Sequence, residues 1–280
     1  EVMVLNTLAK KLQAKRFKNG AISFETVEVK FKLDEAGRPL GLFPKIRKDA
    51  HKLIEEFMLL ANKRVAEFCY RHKEGKEHNT MVYRVHDEPD IEKIRSFSLF
   101  ASKFGYKLMV DESKISEKLN DFIEKIEGSP EQYLLQNLAI RTMAKARYTT
   151  AAAGHFGLAF SHYSHFTSPI RRFPDMMTHL LLQNYLDNKP SPDRVAFELR
   201  CKHSSEMEKL AADAERASIK YKQVEYMQMA GKKVFEGIVS GVTEWGMYVD
   251  MNETRCEGMV RMSDMNSDFF ELDEKNYRLV

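Results

Sequence analysis

Residues 154–179, GHFGLAFSHYSHFTSPIRRFPDMMTH, place four histidines, two adjacent arginines and a Ser-Pro pair in one short stretch, here called the His–Arg segment. The Thr-Ser pair before Pro169 can cap a helix, and Pro169 lies where a missing N–H costs nothing. Pro174 disfavours a helical residue before it, so the spacing predicts one turn followed by a new helix. Arg171 and Arg172 are therefore expected at or near a helix N-terminus.

An anionic ligand would make this placement of two arginines favourable. The N–H groups and the positive dipole end of a helix N-terminus repel guanidinium groups but attract an anion. A guanidinium also offers phosphate a bidentate geometry that lysine does not. The segment therefore predicts phosphate recognition. Two alternatives stay open, a helix-end Arg171 paired with Asp175 and a structural salt bridge for Arg172.

The charge distribution around this segment points the same way, although the net charge is only +3. No Asp or Glu occurs from 132 to 174, in a chain that is 30% charged. The basic residues inside this stretch are Arg141, Lys145, Arg147, Arg171 and Arg172. An anionic ligand is the simplest use for such a stretch, and the alternative is a mostly buried segment that excludes carboxylates.

A metal site built from histidines is not expected. The four histidines of the His–Arg segment form no HxxxH pair on one helix, and no cysteine lies nearby; they are His155, His162, His165 and His179. A histidine beside aromatic residues is more often a hydrogen-bonded structural residue than a ligand. The prediction is therefore that this chain contributes no metal ligands.

The composition is typical of a soluble globular chain that has a large and a small domain. Of the 280 residues, 43% are hydrophobic, and no apolar run has the length of a membrane span. The three cysteines, Cys69, Cys201 and Cys256, include no CxxC pair. This cysteine usage indicates a reducing compartment, so a cytoplasmic protein is expected. We also expect a monomer that has no membrane partner.

The hydrophobic pattern predicts a hairpin followed by helices and then short strands. Alternation at 20–43 with a break at Ala-Gly-Arg-Pro indicates a β-hairpin. Helical spacing at 49–72 predicts a long amphipathic helix, and a later helix is expected to have Ser116 as its N-cap. After Gly231 the period changes to short strands joined by glycine turns. The pattern therefore predicts two domains, 1–230 and 231–280.

Several segments resemble the ribonuclease II and ribonuclease R (RNB) family of exoribonucleases, closest to its bacterial ribonuclease R branch. Besides the His–Arg segment, the resemblance rests on GAISFETVEVKF, AHKLIEEFMLLANKRVA, YRVHDEPD and DAERASIKYKQVEYM. EGIVSGVTEWGMYVDMNETRCEGMVRMSDM resembles the S1-type RNA-binding module of that family. The implied fold is α+β, namely the largely helical C-terminal part of an RNB nuclease domain with an N-terminal β-hairpin. An incomplete S1-like OB-fold β-barrel is expected to follow it.

The resemblance implies processive 3′→5′ degradation of single-stranded RNA to nucleoside 5′-monophosphates, and it implies roles for particular residues. Arg171 matches the arginine that holds the scissile phosphate, and Glu215 matches a carboxylate that meets the 3′-terminal nucleotide. Glu55 matches a carboxylate facing the terminal ribose, Phe24 matches the aromatic that stacks on the last base, and Arg172 is a second candidate phosphate contact. A solvated helix face for Glu215 and a hairpin core position for Phe24 stay open. The neighbouring Glu56 is expected to form an ordinary ion pair with Lys52, one helical turn earlier.

In the C-terminal module, aromatic and basic residues are expected on an OB-type sheet face that binds single strands. These residues are Phe235, Trp245, Tyr248 and Arg261. Each could instead be a core residue.

The family's metal site is an aspartate cluster upstream of the hairpin, and no such pattern occurs in this sequence. Magnesium is therefore expected as the cofactor of a longer parent enzyme, with its ligands outside this chain. The chain alone is expected to be an inactive internal piece of that enzyme. The alternative is a non-catalytic RNA-binding protein that keeps the RNA clamp without the metal site.

Overall fold

The structure is a computed structural model that describes residues 1–22, 29–45, 47–71, 78–111, 114–231, 234–252, 254–265, 270–273 and 278–280. Helices account for most of the regular structure in these ranges. They are α1 (Val2–Lys18), α2 (Asp49–Arg71), α3 (Ile91–Ser102), α4 (Ile115–Ile126), α5 (Gln132–Thr142), α6 (Phe173–Leu186) and α7 (Arg194–Ala230). None of the helices in this part of the chain has the length and apolarity that a bilayer crossing requires.

The strands form small antiparallel sheets. They are β1 (Val29–Leu33), β2 (Pro39–Pro44), β3 (Tyr83–Val85), β4 (Arg147–Thr149), β5 (Gly237–Thr243), β6 (Gly246–Met251), β7 (Glu257–Arg261), β8 (Leu272–Asp273) and β9 (Arg278–Leu279). The pairs are β1–β2, β3–β4 and β8–β9, and β5–β6–β7 form a three-stranded sheet. The mixed helical and sheet fold is therefore confirmed. In the described residues the C-terminal strands do not close into a barrel, and the OB-fold stays a prediction.

The chain divides into two compact units, of which the first comprises Glu1–Phe24, Arg47–Pro130 and Leu135–Leu210. Its core combines residues of α2, β3, β4, α6 and α7. The buried members are Ala66, Cys69, Met81, Val82, Tyr83, Val85, Tyr148, Met177, Leu181, Tyr185 and Cys201. From α6 the core takes positions one turn apart, because side chains four residues apart share one helix face. The opposite face of α6 is left for other contacts.

Backbone hydrogen bonds attach the His–Arg segment to β3 and the residue after it. The Arg84 N–H donates to the Tyr163 carbonyl at 2.9 Å, and the His86 N–H donates to the Gly154 carbonyl at 3.1 Å. In return, the Phe156 N–H donates to the His86 carbonyl at 2.8 Å. The segment is irregular in secondary structure, yet these bonds satisfy its backbone and fix its path.

The second unit comprises Glu25–Ile46, Glu131–Leu134 and Ala211–Val280. The hairpin turn between β1 and β2 is attached to α7 by the Lys222 ammonium group, which donates to the Gly37 carbonyl at 2.6 Å. Gln223 Nε2 donates to the Arg255 carbonyl at 3.0 Å, and the Arg255 guanidinium lies 5.1 Å from the centre of the Tyr133 ring. Side chains of α7 and of the sheet β5–β7 thus organise this unit.

Most of the predicted elements are present, with corrections at their ends. The hairpin and the long helix α2 are confirmed, and Arg194–Ala230 form the single long helix α7. Ser116 is not an N-cap, because α4 begins at Ile115 and Lys114 is the capping residue. The compact units divide within α7, between Leu210 and Ala211. The domains 1–230 and 231–280 stay predictions.

Candidate functional site

The Ser-Pro-Ile-Arg-Arg turn is held from inside by Asp175. The N–H groups of Arg171 and Arg172 both donate to the Ser168 carbonyl, at 3.3 and 3.0 Å. The Asp175 side chain is fully buried, and its Oδ1 accepts from the Ser168 N–H and from Arg172 Nη2, each at 2.8 Å. Helix α6 begins immediately afterwards, at Phe173. One turn followed by a new helix is therefore confirmed.

The two arginines of this turn have different environments. Arg172 occupies the N-cap position of α6, and its side chain, 22% exposed, pairs with Asp175. Arg171 is exposed, and no ion pair to it is present among the described residues. The alternative in which Arg171 pairs with Asp175 is therefore wrong, whereas the structural salt bridge of Arg172 is confirmed. The Arg171 guanidinium lies beside a helix N-terminus and is available to an anion.

A cavity of about 470 Å³ lies between α2 and the His–Arg segment. The α2 side of its wall is largely apolar but also carries polar residues, and the side near the turn is polar. It is lined by Ala50, His51, Ile54, Glu55, Met58, Leu59, Asn62, Tyr163, Thr167 and Arg172. A volume of this size is in the range of small-molecule sites. The cavity brings together Glu55 and Arg172, two of the residues expected to contact RNA.

Asn62 joins the two walls of this cavity. It is buried, its Nδ2 donates to the Tyr163 hydroxyl at 3.0 Å, and its Oδ1 accepts from the Phe166 N–H at 3.0 Å. Burial raises the pKa of Tyr163, so the phenol stays protonated. Because the hydroxyl oxygen accepts from Asn62, its own proton is left to donate to a ligand.

Two polar atoms of the cavity residues are buried without a partner in the described part of the chain. They are Thr167 Oγ1 and Arg172 Nε, and the second carboxylate oxygen of Asp175 is in the same condition. Buried polar groups in native proteins nearly always have a hydrogen-bond partner. An oxygen-rich anionic ligand would accept from both the guanidinium N–H and the threonine hydroxyl. The cavity is therefore suited to a phosphate or sugar-phosphate group.

The two adjacent glutamates of α2 differ in exposure. Glu56 is buried and pairs with Arg16 of α1, with 2.5 Å between Oε1 and Nη2. The sequence suggested Lys52 as the partner of Glu56, because spacing along one helix reveals only neighbours one turn away. Glu55 lines the cavity, is partly exposed, and pairs with Arg47. An exposed pair of this kind contributes little free energy, so Glu55 can exchange Arg47 for a ligand hydroxyl at low cost.

The histidines near the turn make structural contacts. His165 Nδ1 is 2.8 Å from the Tyr148 hydroxyl, and His179 Nε2 is 2.8 Å from the Phe166 carbonyl oxygen. Burial, aided by the positive charge of Arg172, lowers the pKa of His165 to about 2. Burial lowers the pKa of His155 to about 3. Both rings are therefore neutral at physiological pH.

Glu215 belongs to the second unit and lies on the exposed surface of α7. No ion pair to it occurs in the described residues, and its neighbours one turn away, Ala211 and Ile219, are uncharged. Asp213 pairs instead with Arg216. The carboxylate is therefore accessible, as both the solvated-face and the ligand-binding interpretations require.

The C-terminal sheet exposes part of its aromatic and basic residues. Trp245 is 69% exposed in the turn between β5 and β6, and Arg261 is exposed at the end of β7. Tyr248 pairs with Met259, and Gly246 pairs with Arg261, so Tyr248 and Arg261 point to the same face. Phe235 is half-buried and precedes β5.

Two parts of the sequence-based site, Phe24 and a metal centre, are not placed by the structure. Phe24 lies outside the described residues. Within the described ranges no group of three or more His, Cys, Asp or Glu side chains is placed to hold a metal ion.

Comparison with protein families identifies the chain. The model of the RNB domain matches residues 1–188, which include the cavity and the turn. The chain belongs to the RNB domain family. The resemblance found in the sequence is therefore confirmed, and the match covers well over half of the chain.

Curated relatives agree with this assignment. Ribonuclease R of Aquifex aeolicus is 36% identical over 280 residues, which is 99% of this chain and 39% of that protein. Ribonuclease R 1 of Lactococcus lactis subsp. lactis is 36% identical over 96% of this chain and 33% of that protein. The chain thus spans between a third and two fifths of the length of these relatives.

Solved structures show the same fold. Mycoplasma genitalium RNase R in complex with ribose-methylated single-stranded RNA has a TM-score of 0.91 and 26% identity, covering 99% of this chain and 44% of that one. The same enzyme in complex with double-stranded RNA has a TM-score of 0.84 and 25% identity, covering 100% of this chain and 50% of that one.

Sequence reasoning missed several residues that build the site, including Asn62, Tyr163 and Thr167. They are an ordinary amide, phenol and hydroxyl, with no spacing that marks them. The only sequence signal for these three residues is that they lie close to the charged motifs, and this signal does not show which groups they contact.

Proposed function

We propose that the protein acts in the 3′→5′ exoribonucleolytic degradation of single-stranded RNA, processively releasing nucleoside 5′-monophosphates. The observation that carries this proposal is the turn, where Asp175 holds Arg172 and leaves Arg171 exposed at the N-terminus of α6. A guanidinium at this position stabilises the negative charge that develops on a phosphate under attack. Arg171 thus acts as the catalytic cation and Arg172 as a phosphate contact anchored by Asp175.

The cavity beside α2 accepts the 3′-terminal part of the RNA in this proposal. Ribose hydroxyls donate to the Glu55 carboxylate, and the 2′-OH allows RNA to be distinguished from DNA. The Tyr163 hydroxyl, the Thr167 hydroxyl and Arg172 Nε, which have donors left over in the folded chain, bind phosphate or sugar oxygens. The apolar α2 side of the cavity accommodates the carbon face of the nucleotide.

Two further contacts come from the resemblance to the family. Glu215 is proposed to meet the 3′-terminal nucleotide, and Phe24 to stack on the last base. Stacking tolerates any sequence because every base has a π-face, which suits a nuclease that degrades RNA without sequence preference.

The C-terminal sheet is proposed to be an S1-type, OB-like RNA-binding module. The exposed Trp245 ring offers a stacking surface, and Tyr248 and Arg261 share one sheet face, where they add an aromatic ring and a cation. Phe235, half-buried, is proposed to border the same RNA path.

Magnesium is the cofactor that the resemblance implies. Hard divalent magnesium prefers oxygen ligands, chiefly carboxylates. The described residues do not fit such a site, because they contain no cluster of three or more possible ligands. We therefore propose that carboxylates other than those of the described residues hold the magnesium, and that this chain alone does not hydrolyse RNA.

The second candidate function is RNA binding without catalysis. The observation that favours it is the same shortage of grouped metal ligands among the described residues, combined with a complete turn and cavity. It differs from the first candidate only in the chemistry, since both require the clamp to bind RNA.

Incubation with 3′-labelled single-stranded RNA and magnesium distinguishes the two candidates. The full-length protein is expected to release labelled nucleoside 5′-monophosphate, and this release should stop in excess chelator. Internal cleavage products, or full activity with chelator, would contradict the exonuclease. Binding by the full-length protein with no release would establish the non-catalytic function. The 280-residue chain assayed in parallel is expected to bind the RNA and release nothing.

We also propose that the protein is cytoplasmic and monomeric. The three cysteines Cys69, Cys201 and Cys256 are free and buried, which suits a reducing compartment. Size-exclusion chromatography with light scattering tests the monomer.

A further inference from the structure

A second, smaller cavity lies between α1 and α2, apart from the cavity that contains Glu55. Its volume is about 90 Å³, several times the roughly 30 Å³ that one water occupies in the liquid and well below the size of a drug-like ligand site. It is lined by Leu12, Lys15, Arg16, Asn19, Glu56, Leu59, Leu60, Lys63, Arg64 and Phe160. We call it the α1–α2 cavity. Its size suits a small oxyanion group and excludes a stacked base.

Cations outnumber carboxylates around this cavity. Arg16 is paired with the buried Glu56, so these two charges cancel. Glu67 accepts from Arg64 at 2.9 Å and lies 3.8 Å from the Lys63 ammonium, so one carboxylate serves two cations.

Lys15 adds a further positive charge, since no ion pair to it is present among the described residues. The lining therefore has two positive charges in excess even after Glu67 is included. Positive groups that converge on one concave site repel each other, and a bound anion relieves that repulsion.

Part of the lining is also held in place, namely Lys63 and the floor made by Arg16 and Glu56. The Lys63 ammonium lies 4.8 Å from the centre of the Phe160 ring, a cation–π contact that restricts the long side chain. The Arg16–Glu56 pair, with side chains only 9% and 5% exposed, fixes the floor between the two helices. Lys63 is thus restrained beside the cavity, whereas Lys15 and Arg64 line it with exposed side chains, that of Arg64 being 70% exposed.

We propose that the α1–α2 cavity binds a phosphate group, and that in RNA-bound protein this group is a backbone phosphodiester outside the reaction site. The cations Lys15, Lys63 and Arg64 bind its oxygens, and the Asn19 amide at the end of α1 adds a neutral donor. The RNA source of the phosphate rests on the proposed function, whereas the phosphate site itself does not. This contact would secure the RNA independently of its sequence, as phosphate contacts do.

The test compares the unmodified 280-residue chain with Lys15→Gln and with the double variant Lys15→Gln/Lys63→Gln. Lys11→Gln is the matched control, because Lys11 is exposed on the same helix one turn earlier and does not line the cavity. Two probes are titrated, inorganic phosphate followed by phosphorus NMR and a single-stranded oligouridylate followed by fluorescence anisotropy at several salt concentrations. Circular dichroism confirms that each variant keeps its fold.

We expect the double variant to bind inorganic phosphate about tenfold more weakly or not at all, since charge-assisted hydrogen bonds are lost. The slope of log K against log salt for RNA should become shallower by about 0.7 for each phosphate contact removed. Lys11→Gln should change neither quantity, and Lys15→Gln should fall between.

The outcomes separate the site from the proposed function. Loss of phosphate binding with an unchanged RNA slope supports the site and assigns it to a free phosphate or phosphate ester. A chain that binds no RNA contradicts the proposed function, but the phosphate titration still decides the site. Phosphate binding that is equal in all four proteins, or absent from the unmodified chain, overturns the proposal.

Discussion

The Ser168–Asp175 turn and the sheet β5–β7 present their charged and aromatic groups in opposite ways. In the turn, a fully buried carboxylate binds a backbone N–H and a guanidinium, and so fixes the residues around it. In the sheet, Trp245 and Arg261 are exposed and are placed by strand register. The first arrangement holds its residues in one geometry by burial, and the second leaves its side chains exposed to solvent.

Two Arg–Asp pairs three residues apart, one in the turn and one in α7, give a second contrast between buried and exposed charges. In Arg172–Asp175 the side chains are 22% and 0% exposed, and in Arg216–Asp213 they are 70% and 49% exposed. Equal spacing along the chain is therefore expected to give unequal energies, because water screens the second pair and leaves the first largely unscreened. The burial of a pair, rather than its sequence spacing, determines what its loss costs.

The largest effect is expected from Asp175→Ala. It leaves the Ser168 N–H and the Arg172 guanidinium without their buried acceptor, so the free energy of unfolding should fall by about 3 kcal/mol or more. Asp213→Ala is the matched control and should cost less than about 1 kcal/mol. Urea unfolding of the 280-residue chain measures both. Equal losses in the two variants would remove the contrast between the two pairs.

Arg171→Ala should come next, as a loss of turnover in the full-length enzyme. Its charge matters most in the transition state, so turnover should fall about 10²-fold or more while RNA affinity changes little. Arg171→Lys should rescue only partly, because the bidentate fork is lost. Arg95→Ala, at an exposed arginine of α3 outside the acid-free stretch 132–174, is the control. Weaker affinity with unchanged turnover would make Arg171 an ordinary phosphate anchor.

The pH dependence of stability should report the buried side of the turn. His165 is neutral when folded, with a pKa of about 2, but takes up a proton below about pH 6.5 when unfolded. Its contribution is thus complete above pH 6.5 and is lost as the pH falls towards 2. Between pH 7 and 5 the loss should be about 2 kcal/mol.

His165→Asn removes this titration and keeps a hydrogen-bonding group for the Tyr148 hydroxyl, so its unfolding free energy should depend less on pH. His203→Asn, at an exposed position of α7, is the control. Urea unfolding at pH 7 and pH 5 gives the comparison, and parallel pH profiles for His165→Asn and the unmodified chain would contradict it.

The smallest effect is expected from Trp245→Ala, and it should appear in binding alone. Loss of one stacking platform should weaken binding of single-stranded RNA by about 1 kcal/mol, or roughly fivefold. Stability should be unchanged because the ring is exposed in a turn. Fluorescence anisotropy and urea unfolding together check this. A clear loss of stability would contradict a role of Trp245 that is confined to binding.

The sequence alone determined the local structure. Periodic apolar positions predicted α2, and the alternation and turn residues predicted the β1–β2 hairpin. Pro169 and Pro174 predicted one turn before α6. These features depend on backbone stereochemistry and on neighbours within one or two turns of the chain, which the sequence displays directly. The resemblance of several motifs in order also identified the family correctly.

Only the tertiary structure decided which partners the polar groups have. Glu56 pairs with Arg16 from another helix, and Asp175 pairs with Arg172 rather than with Arg171. Asn62 forms a hydrogen bond with the Tyr163 hydroxyl. These pairings join residues that are 40, 3 and 101 positions apart. The choice depends on burial, since a polar group removed from water must bind whichever partner the packing of the chain brings to it.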